Sequence, residues 1–150
     1  MKKLFFIALS CFAMAGCDVP NSQTSDEGNK NEIPEYVTSA ASNVSDAIVA
    51  NMIRNPDFNC NSIYDEITNN WTIGCFIPEK NPSPFLLFKV TEDKDKTNPP
   101  FNYKLVAING KAKQYAENKA LRMFKIDTKS QSDINIDQMI SAYTAKFVPK

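Results

Sequence analysis

Seventeen carboxylates, four cysteines and no histidine set the chemistry open to this 150-residue chain. Without imidazole, Ser-His-Asp and Cys-His nucleophiles cannot be assembled, and the commonest general base near neutral pH is missing. Two distant cysteines with no histidine do not make an ordinary zinc site. After Gly16, glycine occurs only at Gly28, Gly74 and Gly110, too sparsely for a phosphate-cradling loop. What remains for catalysis is a carboxylate pair of the glycosidase kind, and Asp65 with Glu66, close to Trp71, is the nearest approach to one. Adjacent side chains point apart, so solvated loop charges are the better reading.

Two stretches offer oxygen ligands at calcium-like spacing: Asp93, Asp95 and Thr97, then Asp133, Asn135 and Asp137. An EF-hand loop needs glycine at its sixth position and glutamate at its twelfth. The first stretch has Asn98 and Lys104 there, the second Gln138 and Thr144. A charged hairpin tip and a helix N-terminus describe them better. No metal and no cofactor is expected.

The chain opens with Lys2 and Lys3, followed by an apolar run of eleven residues from Leu4 to Met14. A membrane span needs about 20 residues, whereas a secretory signal core has this shorter length. Two processing readings compete at its end. Ala13-Met14-Ala15 fits the A-x-A site of the ordinary signal peptidase, with cleavage before Gly16. Met14-Ala15-Gly16-Cys17 instead resembles the lipobox of bacterial lipoproteins, with methionine where leucine is commonest. That resemblance implies a signal peptide over residues 1–16, a diacylglycerol on the Cys17 thiol (usually joined by a palmitate-type third acyl chain), and Cys17 as the new N-terminus. Asp18 resembles the signal that retains enterobacterial lipoproteins in the inner membrane, and otherwise begins a polar linker.

Cysteine arithmetic favours the lipobox. Cys11 leaves with the signal peptide in either case, and lipidation of Cys17 leaves Cys60 and Cys75 as one pair in an oxidising compartment. Ordinary cleavage would orphan one thiol of three. Fourteen residues separate Cys60 from Cys75, with no C-x-x-C spacing, so a structural bridge is expected rather than redox chemistry.

Two or more acyl chains anchor stably, each buried methylene contributing about 0.8 kcal/mol. The expected location is therefore the cell envelope, lipid-anchored and facing the periplasm. Residues 17–34 form a polar, acidic tether whose only large aliphatics are Val19 and Ile33. A flexible chain of about 17 residues reaches roughly 20–25 Å. Residues 35–150 then suit a single domain.

Within that domain the apolar pattern predicts a first helix. Val37, Ala40, Ala41, Val44, Ala47, Ile48 and Met52 recur at three- and four-residue steps after Pro34, and Pro56 stops them. Its small residues predict close packing on a sheet. "FLLFKV" and "FNYKLVAI" read as strands around the charged tip "EDKDKTNPP". After Asn109-Gly110 the pattern is ambiguous, and a helix to about residue 119 followed by a strand over residues 121–126 is the favoured reading. A last helix is predicted over residues 136–147, with Met139, Ile140, Tyr143 and Phe147 on one side. The fold class is α+β: an antiparallel sheet of about three to five strands, with the N-terminal and C-terminal helices on one face.

Charge is uneven. Residues 18–79 carry 2 basic and 10 acidic side chains, residues 80–150 carry 13 and 7. Overall neutrality and the shortage of arginine argue against nucleic acid. Lys111, Lys113, Lys119 and Arg122, with Trp71, make a candidate interface for an acidic partner or anionic lipid. The expected function is non-enzymatic: protein binding as an accessory subunit of an envelope assembly. The alternative is an inhibitor or immunity lipoprotein against a toxic or lytic enzyme, and a carboxylate-dependent cell-wall hydrolase is disfavoured.

Overall fold

The computed structural model describes residues 32–150. The signal sequence, Cys17, Asp18 and nearly all of the tether lie outside the described residues. The first helix, α1 (Glu35–Ile48), starts after Pro34 and buries Val37, Ala40, Ala41, Val44 and Ile48. Alanines in that stripe let the backbone approach the sheet closely. A wider π turn over Val49–Ile53 prolongs the helix until Arg54 ends it in the left-handed conformation, φ 53°.

Four strands follow: β1 (Asn59–Asp65), β2 (Asn70–Phe76), β3 (Leu86–Glu92) and β4 (Tyr103–Ala107). They pair antiparallel in sequence order, a plain meander. Cys60 stands opposite Cys75, Trp71 opposite Val90, and Val90 opposite Leu105. Alternation gives the sheet two distinct faces. Ile73, Cys75, Leu86, Phe88, Val90, Tyr103 and Leu105 face α1 and form the larger core. Thr72, Gly74, Phe76 and Leu87 point the other way.

The chain then forms α2 (Gly110–Ala116), a 3-10 turn (Lys119–Phe124) and α3 (Ile136–Phe147). Asn109 caps α2 by accepting from Ala112 N at 3.0 Å, and the same side chain holds Leu87 N and Phe85 O at the start of β3. Asn135 likewise caps α3.

Two expectations about placement change. The segment 121–126 is not a strand. Leu121 and Phe124, three residues apart, both bury into the α1-side core, and that spacing is the 3-10 period. Only Asp127 pairs with the outer edge of β4, exchanging backbone hydrogen bonds with Leu105 O and Ala107 N at 2.9 and 2.8 Å. The terminal helices also divide the sheet between them: α1 takes one face and α3 the other. Tyr143 of α3 packs on Gly74, and a Cβ there would stand 2.9 Å from its ring. Only a strand position without a side chain admits the ring at that distance. Phe76, Phe85 and Tyr143 make edge and stacked contacts in this second, smaller core.

The meander puts the β1–β2 and β3–β4 connections at one end and the β2–β3 connection at the other. The start of α1 lies toward the first end, where burial and then the nearby Glu92 carboxylate raise the Tyr36 pKa. The far part of α1 reaches Phe58 at the start of β1, through Ser45 Oγ at 3.5 Å. The described chain therefore enters the domain, at Pro34, from the end that carries the β3–β4 connection.

Candidate functional site

Cys60 and Cys75 form a disulfide between directly opposed residues of β1 and β2. Cys75 is fully buried beneath α1, and Cys60 packs against the same core. This is a structural bridge.

The carboxylates named from the sequence hold their own loops. Asp65 closes the β1–β2 turn, accepting from Thr68 Oγ1 at 2.6 Å and from Ile67 N at 3.2 Å. Glu66 is exposed in that turn. Asp93 opens the β3–β4 connection and is buried, accepting from Asn98 N at 2.6 Å and Thr97 Oγ1 at 2.9 Å, with Lys104 Nζ at 3.3 Å. Burial pushes its pKa up, but those hydrogen bonds and the lysine charge outweigh it and hold the carboxyl below its ordinary value. Asn98 extends the brace, donating from Nδ2 to Tyr103 O at 3.1 Å and to Phe124 O at 3.2 Å. Its Oδ1 is buried without a hydrogen-bond partner among the described residues.

In the first calcium-like stretch Asp93 and Thr97 meet in a hydrogen bond of 2.9 Å that belongs to the loop itself. Among the described residues no three Asp, Glu, Cys or His side chains converge as a metal site. Asp93 is turned into its loop, and Asn135 caps α3 while Ile134 is buried. Asp127 caps the following turn, accepting from Ser130 Oγ and Lys129 N, which keep its pKa low.

Trp71 lies in β2, half-buried against the α1-side core with its ring 5.3 Å from Tyr64. The basic candidates belong to other elements: Lys111 and Lys113 to α2, Lys119 and Arg122 to the 3-10 turn. The 3-10 turn joins its cations to a different surface. Phe124 packs against Phe101, ring centroids 4.9 Å apart and tilted by 38°, bringing the turn against the β3–β4 connection. That connection borders a groove of about 360 Å³ whose lining mixes Glu92 and Asp93 with Lys94 and Lys96, beside Pro99, Pro100, Phe101 and Asn102. Met123, on the 3-10 turn next to Phe124, is 58% exposed. The three-residue period of the turn sets Leu121 and Phe124 inward and Met123 out.

Among the described residues, no helix is long and apolar enough to cross a membrane. No protein-family model, curated protein or solved structure matches the chain.

Proposed function

We propose that the protein is a lipid-anchored lipoprotein of the bacterial envelope, held through Cys17 and acting in the periplasm by binding another envelope protein. The observation that carries the reading is Met14-Ala15-Gly16-Cys17 at the end of an eleven-residue apolar run. The domain geometry supports binding over chemistry: Asp65 and Asp93 spend their oxygens on their own turns, and the disulfide is a buried cross-strand brace. A small bridged domain on a tether of roughly 20–25 Å suits capture of a partner near the bilayer.

The test has two arms. Intact mass of the native mature protein should give an N-terminal Cys17 bearing diacylglycerol; an unacylated start at Gly16 overturns the anchor. Crosslinking in intact envelopes should join one envelope protein to the acylated form and lose it with Cys17→Ser. If that protein is a toxic or lytic enzyme blocked by the complex, the role is inhibition or immunity. Cell-wall hydrolysis abolished by Asp65→Asn or Glu66→Gln would refute the non-enzymatic reading.

A further inference from the structure

We propose that the tether end of the domain, on its β4 side, is a membrane-docking face whose occupant is an anionic lipid surface. This rests on the lipid anchor proposed above and adds an orientation to it. Leu121 and Phe124 point into the core, so the three-residue period sets Lys119 and Arg122 in one outer row and Ala120 and Met123 in the next. Lys125 follows in the left-handed conformation, exposed. The hydrogen bond from Asn98 to Phe124 O and the tilted packing of Phe101 on Phe124 bring the loop of exposed Pro99 and Pro100 against this turn. The resulting surface combines exposed apolar groups with cations.

The charges point the same way. Among the described residues, Lys94 pairs with Glu92 at 3.5 Å and Lys104 with Asp93 at 3.3 Å, while Lys96, Arg122 and Lys125 have no carboxylate partner. Asp95 is the one further carboxylate of the connection. Glu32, Glu35 and Glu66 belong to the α1 start and the β1–β2 turn; on the β4 side Glu92 and Asp93 are taken up by Lys94 and Lys104, and Asp127 lines a shallow groove with Lys104 and Lys125. Basic side chains around exposed apolar groups are what interfacial lipid binding uses.

The tether selects the occupant. It joins the domain at Pro34, toward this end, and a chain that reaches roughly 20–25 Å keeps the face within a short distance of the headgroups. A linked site sees its target at millimolar effective concentration, so a weak attraction is enough to populate the docked state. Docking by this end turns the β2–β3 connection away from the bilayer, toward a protein partner.

The full acylated protein, reconstituted in vesicles of phosphatidylcholine with or without phosphatidylglycerol, tests this with brominated lipids as quenchers. Tryptophan is introduced by Met123→Trp and, at the opposite end, by Lys80→Trp, each signal being read above that of Trp71. Quenching at position 123 but not at 80, in the anionic vesicles, is expected. Arg122→Glu with Lys125→Glu should reduce it, each lost cation weakening surface partition about fivefold. Equal quenching at both positions overturns the proposal. Acylated protein unquenched at position 123 also overturns it, and assigns the face to an acidic protein instead. Intact mass separates these results from failure of the anchor, since unacylated protein removes the tether argument whatever the quenching.

Discussion

Tyr143→Phe removes a single oxygen from a buried junction, and its cost can be worked from the hydrogen bonds around it. The hydroxyl lies 3.1 Å from Ile63 N and 2.8 Å from Thr72 Oγ1. Thr72 spends its only hydroxyl proton on Ile63 O at 3.0 Å. The tyrosine must therefore donate to Thr72 while accepting from Ile63 N, and this clasp fixes α3 to β1 and β2. Phenylalanine keeps the ring over Gly74 and leaves Ile63 N without that acceptor. A buried donor left unsatisfied costs about 1–3 kcal/mol. Urea unfolding followed by Trp71 fluorescence should show that loss with an unchanged m value. Alkali gives a second readout. Burial raises the Tyr143 pKa well above its ordinary value, so the folded state keeps a proton that the unfolded state releases. The associated stability is fully present below the unfolded pKa of about 10 and is lost as pH rises through it toward the folded value. The phenylalanine variant should lose less on that climb. A variant within about 0.5 kcal/mol of the parent, or with the same alkaline slope, would refute the clasp.

Gly74→Ala drives a Cβ to 2.9 Å from the Tyr143 ring; a loss of about 1–3 kcal/mol is expected, relieved in a Tyr143→Ala background by a double-mutant cycle. Replacing Cys60 and Cys75 by alanine should cost about 3 kcal/mol, the loop-closure value for this span, read as a lower urea midpoint under oxidising conditions. Asp93→Asn should speed amide exchange at Asn98 without altering strands β1 and β2. Because the folded pKa of Asp93 is depressed, its contribution is present above the unfolded value of about 3.9 and disappears as pH falls through the folded one. Acid titration of parent and variant by amide exchange checks that direction.

Much of the fold was legible in the sequence. Three- and four-residue steps of Val37, Ala40, Ala41, Val44 and Ile48 gave α1 and its shallow face, and Met139 with Tyr143 marked α3. The alternation Tyr103, Leu105, Ala107 against Lys104 marked β4. The segment after Asn109 was harder, because Leu121 and Phe124 at a three-residue spacing fit neither a strand nor a full helical stripe. Exposure of Met123 follows from that same period. Of the candidate interface, Lys119 and Arg122 came from charge counting; their apolar companions Pro99, Pro100 and Met123 did not, since the Phe101–Phe124 contact that gathers them spans two separate segments.

Local chemistry by itself determined the excluded reaction classes and the strands' alternation, which depend on residue types and on residues a few positions apart. The tertiary structure decided what depends on distant residues meeting: α3 on the face opposite α1, Tyr143 seated where Gly74 leaves room, and Asp93 bound to Asn98 as a loop brace. An amphipathic helix fits either face of a two-sided sheet. Only the one position on β2 without a side chain distinguishes them, and that gap acquires meaning only once the strands are paired.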